Sequence, residues 1–241
     1  MKTLILSTAI AALAAGAAFA DGHSVVRMGT EGAYPPYNFL NDAGEVDGFE
    51  RELGDELCAR AELTCEWVTN DWDSIIPNLV SGNYDTIIAG MSVTDERKEV
   101  IAFSEQYTQP DPSSFLVMDA SADVMGGVIA AQSGTIQASY VASSGATLLE
   151  FATPDETVAA VKNGEADAVL ADKSFLSPIA EADGELSLVA QDVMIGGGIG
   201  IGMRQSDTEL KAAFDAAIMS MKADGSLNAL IGKWLPEAAQ F

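Results

Sequence analysis

The segment that decides the fold runs from Ser81 to Tyr107 and reads SGNYDTIIAGMSVTDERKEVIAFSEQY. After an opening turn, residues 86–91 form a short, uncharged, apolar run, which is typical of a strand buried on both faces. Ser92 ends this run, and Thr94 is suited to cap a helix whose first turn carries two acids. The segment therefore predicts a buried strand that leads into a helix, as in the sheets of α/β proteins.

Arg97 stands in that first helical turn, where the helix dipole gives a cation no local advantage. It can be a surface arginine paired with Asp95 or Glu96, or it can bind a ligand. The second interpretation follows from its place, because ligands of open α/β sheets bind beyond the carboxyl ends of the strands. Spacing alone leaves both interpretations open.

Strand and helix patterns alternate on both sides of the segment. Upstream, the sequence predicts strands at 25–29 and 63–68, and helices at 49–61 and from 74, the last capped by Asp73. A second α/β unit follows residue 112, with strands at 114–117, 128–131, 148–151, 166–170 and 186–189 and helices at 136–142, 154–163 and 173–181. Two further helices are predicted near the end of the chain, at 207–223 and 227–234. The order of the first elements implies a parallel sheet covered by helices. The glycine-rich tract 196–202 fits a strand close to another backbone, or a flexible connection.

Residues 1–20 have the pattern of an export signal that is not part of the fold. Lys2 precedes an apolar, alanine-rich stretch at 4–18, and Ala18-Phe19-Ala20 matches a small-residue cleavage site. An uncleaved membrane anchor is the alternative. Cleavage after Ala20 would leave residues 21–241 as an exported, soluble chain.

The composition suits one large domain or two smaller lobes, since 48% of the 241 residues are hydrophobic. The formal net charge is −24, from 12 basic and 36 acidic residues. Loss of residues 1–20 would remove Lys2 and no acid, which makes the charge one unit more negative. Such a surface repels nucleic acid and anionic lipid, so we expect no nucleic-acid partner. It could attract cationic solutes, although solubility in salty surroundings explains it equally well.

Two cysteines and one histidine limit the available chemistry. Cys58 and Cys65 lack the spacing of a metal or redox motif, and in an exported chain we expect them to form a disulfide between a helix end and the next strand. His23 lies at the start of the exported chain, so no Ser-His-Asp, Cys-His or zinc-ligand set can be assembled. We therefore expect neither a metal nor a cofactor.

Polar and aromatic side chains gather where predicted strands end and loops begin. They are Glu31, Tyr34, Tyr37, Trp72, Ser92, Arg97 and Asp172. A guanidinium, a hydroxyl and two carboxylates can hold a zwitterion, with Arg97 forked onto an α-carboxylate and Asp172 accepting from an α-ammonium group. Nothing in this set requires a bond to be broken.

Five motifs carry a family resemblance. They are GTEGAYPPYNF at 29–39, DGFE at 47–50, DTIIAGMSVTDER at 85–97, SGTIQ at 133–137 and ADGS at 223–226. Together they make residues 21–241 resemble the polar amino-acid binding proteins of bacterial ABC transporters over nearly the whole length. The cysteine pair resembles the disulfide of the histidine and lysine/arginine/ornithine branch.

The resemblance implies a type II periplasmic binding protein fold, an α/β clamp of two lobes, each a sheet flanked by helices. Lobe 1 would hold residues 21–109 and 196–241, and lobe 2 residues 110–195, with two hinge crossings between them. It also implies a monomer in the periplasm that captures an amino acid and then docks on the membrane permease of an ABC transporter.

The resemblance also assigns site roles. Arg97 and Ser92 resemble the residues that hold the ligand carboxylate, and the backbone of Gly90 with Asp172 resembles those that hold the amine. Tyr34 and Trp72 resemble the rings that sandwich the ligand side chain, near an acid at Glu31. The full predicted set is Glu31, Tyr34, Tyr37, Trp72, Ala89, Gly90, Met91, Ser92, Arg97, Ser133, Thr135, Ile136, Gln137 and Asp172.

Three departures bear on the ligand. Ala89 and Gly90 stand where histidine-type members carry serines, and Ile136 stands where a threonine is usual. The two lost serines weaken a histidine assignment, whereas Trp72 opposite Tyr34 suits a guanidinium or a methylene chain. We expect a cationic amino acid of the arginine, lysine, ornithine or histidine type, with opines and neutral polar amino acids as alternatives.

Two other functions stay open at this point. A few relatives of this fold are dehydratases, in which a cleft carboxylate acts as an acid, although a bound ammonium group would keep Asp172 ionised. A shared fold does not fix function, so the dehydratase activity is not carried over to this chain. We expect the chain not to be an enzyme. A sensory module for a chemoreceptor would use the same site with another docking partner, and the sequence does not separate it from transport.

Overall fold

Two five-stranded sheets carry the fold of this computed structural model, which describes residues 25–121 and 124–241. The first sheet contains β1 (Val26–Thr30), β5 (Cys65–Thr69), β6 (Thr86–Ile87), β7 (Ala102–Gln106) and β13 (Gly200–Met203). The second contains β8 (Ser113–Val117), β9 (Val128–Gln132), β10 (Thr147–Phe151), β11 (Ala168–Asp172) and β12 (Ser187–Leu188). A small third sheet consists of β2 (Ala33–Tyr34), β3 (Asn38–Leu40) and β4 (Val46–Asp47).

Three of the five strands of each large sheet are parallel to one another. In the first sheet the order is β5-β1-β6-β13-β7, with β5, β1 and β6 parallel, as predicted, and β13 antiparallel to both of its neighbours. In the second the order is β10-β9-β11-β8-β12, with β10, β9 and β11 parallel and β8 antiparallel to β11. The carboxyl ends of the parallel strands therefore lie at one edge of each sheet, where ligands bind in α/β folds.

Helices cover both faces of each sheet. They are α1 (Phe49–Arg60), α2 (Ile75–Val80), α3 (Asp95–Lys98), α4 (Ile136–Ser144), α5 (Pro154–Lys162), α6 (Lys173–Ala182), α7 (Thr208–Asp224) and α8 (Ser226–Trp234). Helices α1, α7 and α8 share one core with β1 and β13, while α2 packs in a second core on the other face. In the second sheet, α5 and α6 share one core and α4 packs in another.

Several local predictions are confirmed. Thr94 caps α3, because its hydroxyl accepts a hydrogen bond from the amide of Arg97 at 3.2 Å. Cys58 and Cys65 form a disulfide that joins the end of α1 to the start of β5. In the glycine tract, a Cβ at Gly198 would collide with the carbonyl oxygen of Thr108, so the close backbone approach is real.

Two local predictions are wrong. The strand expected at 86–91 is ladder-paired over Thr86–Ile87, and Gly90, with φ +61°, interrupts the extended backbone before Ser92 bridges to Ile199. Asp73 does not cap α2, since it lies inside a 3₁₀ turn at Trp72–Ser74, and Ser74 takes the N-cap position.

The chain passes between the large sheets at 107–112 and 189–199. The predicted boundaries at 109/110 and 195/196 fall within these connections, and the division into two moving lobes stays a prediction. The predicted signal at 1–20 and its cleavage site lie outside the described residues. Across the residues that the structure does describe, none of the helices has the length and apolar character needed to cross a membrane.

Candidate functional site

A cavity between the two large sheets collects the chemistry-bearing residues. It encloses about 340 Å³ not filled by protein atoms, a volume that includes its opening to solvent. Its lining residues are Glu31, Tyr34, Trp72, Ala89, Gly90, Ser92, Arg97, Gln132, Thr135, Ile136, Gln137 and Asp172. The first sheet, its loops and β2 of the small sheet supply the first seven of these, and the second sheet and the start of α4 supply the rest.

Arg97 reaches the cavity from the first turn of α3. Its Nη1 donates to the carbonyl oxygen of Ser92 at 2.9 Å, and its guanidinium carbon lies 5.4 Å from the centroid of the Trp72 ring. The nearby ion pair on this turn is made by Lys98 and Asp95, at 3.1 Å. Burial lowers the pKa of Arg97 to about 10, and the negative charge of Asp172 on the opposite cavity wall counteracts this decrease. The side chain therefore stays cationic at neutral pH.

Asp172 reaches the cavity from the carboxyl end of β11, with 8% of its surface exposed. Its Oδ2 accepts from the hydroxyl of Tyr34 at 2.9 Å, and its Oδ1 accepts from Nε2 of Gln137 at 2.8 Å. Burial raises the pKa of Asp172 to about 7, and the charge of Asp111 adds to the rise. The hydrogen bonds and the charge of Arg97 oppose it.

The two rings expected to sandwich a ligand side chain each face a protein group. Tyr34 stacks on Phe175 at a centroid distance of 4.4 Å and lies 5.9 Å from Tyr37. Trp72 lies under the guanidinium of Arg97. The sandwich therefore stays a prediction, and the structure gives Tyr34 a second role, as hydrogen-bond donor to the buried carboxylate.

Glu31 and Gln132 meet across the cavity mouth, one from each side. Nε2 of Gln132 donates to Oε1 of Glu31 at 2.6 Å and to the carbonyl oxygen of Ala152 at 3.0 Å. Burial raises the pKa of Glu31 to about 7, the hydrogen bond from Gln132 lowers it, and the charges of Asp71 and Asp155 raise it further. This end of the cavity is thus acidic, which favours a cationic group.

A buried carboxylate holds the loop that carries Gly90. Glu50 is fully buried, and its carboxylate accepts from the amide of Gly90 at 2.6 Å, from Nδ2 of Asn38 at 2.7 Å and from the hydroxyl of Tyr107. Oδ1 of Asn38 in turn accepts from the amide of Gly32 at 2.7 Å. One buried group therefore ties together the two loops that form the first-sheet wall. Burial raises the pKa of Glu50, and its three donors oppose the rise.

The loop at the start of α4 forms the opposite wall. The hydroxyl of Thr135 accepts from the amide of Ala138 at 3.1 Å, which caps the helix, and donates to the carbonyl oxygen of Gln132 at 2.7 Å. Gln137, in the first turn, bridges Asp172 and the hydroxyl of Ser113, at 2.8 and 3.1 Å. The helix start is therefore fixed against β8 and β11.

Eleven of the fourteen predicted ligand residues line the cavity. Three do not: Tyr37 packs behind Tyr34 and bonds the hydroxyl of Ser174 at 2.8 Å, Met91 is fully buried in the α2 core, and Ser133 bonds the backbone of Phe151. Gln132 lines the cavity and was missed, because the predicted strand stopped one residue before it. The rule that finds site residues at strand ends would have included it.

The sequence also matches a family of known proteins. Residues 26–237 match the model of the bacterial extracellular solute-binding proteins, family 3. The chain belongs to this family. The structure has the α/β fold, with sheets flanked by helices, that the resemblance implied.

Three similar proteins illustrate the comparison. The lysine/arginine/ornithine-binding periplasmic protein of Escherichia coli (strain K12) is 30% identical over 96% of this chain and 95% of the relative. The octopine-binding periplasmic protein of Rhizobium meliloti is 30% identical over 91% and 92%. A crystal structure of a periplasmic His/Glu/Gln/Arg/opine family-binding protein from Silicibacter pomeroyi in complex with lysine is 68% identical, covers 90% of this chain and 100% of that one, and has a TM-score of 0.88.

Among residues 25–121 and 124–241, no group of three or more His, Cys, Asp or Glu side chains is arranged to hold a metal ion. The charged groups of the cavity are instead one guanidinium and two carboxylates, which suit an organic ligand carrying both signs of charge.

Proposed function

We propose that this chain is a periplasmic binding protein that captures a cationic α-amino acid of the lysine or arginine type in the cavity between its sheets. The observation that carries the proposal is the placement of Arg97 and Asp172 on opposite walls of one cavity. A guanidinium binds a carboxylate through two parallel hydrogen bonds, and a buried carboxylate binds an ammonium group. The two groups of an amino-acid backbone match this pair.

The ligand class follows from the acidic end of the cavity. Glu31 lies at the mouth, in the field of Asp71 and Asp155, where a side-chain ammonium or guanidinium would reach it. The Silicibacter pomeroyi relative bound to lysine supports this assignment. Octopine-type ligands also carry a guanidinium, and they are the second choice within the same site.

A binding panel tests the ligand class. Residues 21–241 would be titrated with lysine, arginine, ornithine, histidine, octopine and glutamine, by thermal shift and by calorimetry. A ligand at 100 times its Kd should add about 2.7 kcal/mol to the free energy of unfolding. Lysine or arginine should give the largest shift and glutamine the smallest. A protein that responds to none of the cationic ligands contradicts the assignment.

We further propose that binding closes two lobes, residues 21–109 with 196–241 and residues 110–195, about the crossings near 107–112 and 189–199. The ligand would favour the closed form because it contacts both walls when they are together. Small-angle X-ray scattering should show a smaller radius of gyration with lysine than without. The closed monomer would then dock on an ABC permease, which co-purification from membranes tests against a chemoreceptor partner.

Export to the periplasm, with cleavage after Ala20, is part of the same proposal. The curated relatives named above are periplasmic binding proteins, and residues 1–20 have the composition of a signal. The first residue of the exported protein should be Asp21, which amino-terminal sequencing would identify. A chain that keeps residues 1–20 and stays with the membrane would support the anchor instead.

Catalysis is the alternative that Asp172 raises. A pKa near 7 is what a general acid needs, and burial gives Asp172 that value in the structure. We nevertheless propose binding without turnover, because an ammonium group beside Asp172 would lower its pKa and hold it ionised. Incubation with a prephenate-like acid, followed spectroscopically, should give no product.

A further inference from the structure

Helix α6 begins in an unusual way. Asp172 occupies its N-cap position with φ −61° and ψ 137°. An aspartate at this position ordinarily accepts a hydrogen bond from a backbone amide two or three residues later. Within the described chain, the carboxylate of Asp172 makes no such capping bond. Its two oxygens accept from Tyr34 and Gln137 at the cavity instead.

The amides at the start of α6 are bonded by the first crossing segment. The amide of Lys173 donates to the carbonyl oxygen of Pro112 at 2.8 Å. The amide of Ser174 donates to Oδ2 of Asp111 at 3.1 Å, and the Ser174 hydroxyl donates to the same oxygen at 2.7 Å. Asp111, which lies 63 residues before Ser174, therefore caps the helix in place of Asp172.

We propose that Asp111 is a positioning residue for ligand binding: by capping α6 from the crossing segment, it leaves the carboxylate of Asp172 directed into the cavity, where it binds the α-ammonium group of the ligand. The inference rests on the proposed function, because it assumes an amino-acid ligand. It adds a residue that touches no part of the ligand and acts through Asp172.

Neighbouring hydrogen bonds connect this capping interaction to Tyr37. The hydroxyl of Ser174 donates to a carboxylate oxygen, so the hydroxyl of Tyr37 donates to Ser174 at 2.8 Å. A chain of three side chains thus runs from the β2–β3 loop through α6 to the crossing segment. Without Asp111, the free amide of Ser174 lies two residues after Asp172, which is the partner that a capping aspartate prefers.

Asp172 and Asp111 also have different charged groups around them. Asp172 faces Asp111, the hydroxyl of Tyr34 and the cation of Arg97, and Asp111 raises the pKa of Asp172. Burial raises the pKa of Asp111 itself, Ser174 and Lys173 lower it, and Asp192 raises it. Removal of the Asp111 charge therefore lowers the pKa of Asp172, whereas removal of its acceptor oxygens releases the helix amide. These two effects can be separated by substitution.

The experiment compares Asp111→Ala with Asp111→Asn by calorimetry at pH 8, using L-lysine and 6-aminohexanoate as probes. 6-Aminohexanoate keeps the carboxylate and the terminal ammonium of lysine but lacks the α-ammonium group. Asp111→Ala should weaken L-lysine binding by about tenfold to hundredfold, the range for hydrogen bonds to charged groups, and 6-aminohexanoate by less than about threefold. Asp111→Asn retains an acceptor oxygen for the amide of Ser174 and should keep the wild-type ratio of the two affinities.

A second readout concerns pH. In Asp111→Asn, the midpoint of the pH-dependent loss of L-lysine affinity should lie below that of the wild type, because one neighbouring negative charge is gone. Asp111→Leu fills a similar volume without an acceptor and replaces the alanine variant if that one does not fold. The inference is overturned if Asp111→Ala loses affinity equally for both probes. It is also overturned if the pH midpoint of L-lysine affinity in Asp111→Asn is the same as in the wild type. If the wild-type protein binds no cationic amino acid, the proposed function fails as well. If the wild type binds L-lysine and one of the results above is found, the inference alone fails.

Discussion

The hydroxyl of Tyr34, in β2, donates a 2.9 Å hydrogen bond to Oδ2 of Asp172, at the end of β11. This contact joins the two walls of the cavity and opposes the rise in the pKa of Asp172 that burial causes. Tyr34→Phe should therefore raise that pKa above about 7. L-Lysine affinity at pH 7 should fall several-fold, and its pH midpoint should move upward, in calorimetry from pH 5.5 to 8.5.

Tyr37→Phe is the matched control for this variant. It removes a hydroxyl from the neighbouring ring, which bonds Ser174 rather than Asp172. The pH midpoint of L-lysine affinity in Tyr37→Phe should stay closer to that of the wild type. If Tyr34→Phe leaves the midpoint unchanged, the hydrogen bond to Asp172 does not control the ionisation of the site.

The pH dependence of stability has a defined sign. Glu31 and Asp172 both have a pKa of about 7 in the folded protein, raised from ordinary carboxyl values near 4. Each group binds its proton more tightly in the folded than in the unfolded chain between these values. Their contribution therefore makes the free energy of unfolding of the unliganded protein fall as pH rises from about 4 to 7.

Ligand binding should show the opposite trend, because a cationic ligand binds the ionised carboxylates. The increase in melting temperature caused by a fixed excess of lysine should be larger at pH 8 than at pH 5.5. Glu31→Gln should reduce this difference by removing one of the two titrating groups. A shift that is independent of pH between 5.5 and 8 is inconsistent with lysine binding at Glu31 and Asp172.

Gly90 is a position where a side chain should be harmful. It has φ +61°, and a Cβ would lie 3.3 Å from Cδ1 of Tyr34. Gly90→Ser should lower the free energy of unfolding by about 1–2 kcal/mol because of the left-handed backbone. It should also weaken lysine binding by displacing Tyr34. Chemical denaturation and calorimetry measure the two effects, and unchanged values in both would show that this loop tolerates a side chain.

The disulfide should affect stability and leave binding almost unchanged. Cys58 and Cys65 are seven residues apart in sequence, and neither lines the cavity. Replacing both with alanine should lower the free energy of unfolding by roughly 2–3 kcal/mol. Lysine affinity should stay within about twofold of wild type, since such distant changes are usually independent. A large loss of affinity in a folded double variant would show that the α1–β5 link shapes the site.

Local sequence signals predicted much of the fold and of the cavity wall. Apolar runs marked the parallel strands, Thr94 marked a helix start, and strand ends marked Glu31, Arg97 and Asp172, because each of these signals depends on a few adjacent residues. The family resemblance then supplied Gly90 and residues 135–137. It could not indicate that the chain leaves the ladder after Ile87.

Contacts between distant segments were beyond sequence reasoning. The antiparallel β7 and the small β2–β3–β4 sheet depend on tertiary pairing, and their short strands carry weak periodicity. The sequence placed Glu50 in the DGFE motif and gave it no role of its own, although its buried carboxylate accepts from the amide of Gly90. Asp111 lay in a proline-rich break, and its role depends on Ser174, 63 residues away.

A crystal structure of residues 21–241 with bound L-lysine is the most direct test of the central claim. The α-carboxylate should lie about 2.7–3.2 Å from the guanidinium of Arg97, and the α-ammonium group at the same range from the carboxylate of Asp172. The side-chain ammonium should point toward Glu31. Lysine outside the cavity, or inside it with neither backbone group on Arg97 and Asp172, would contradict the account.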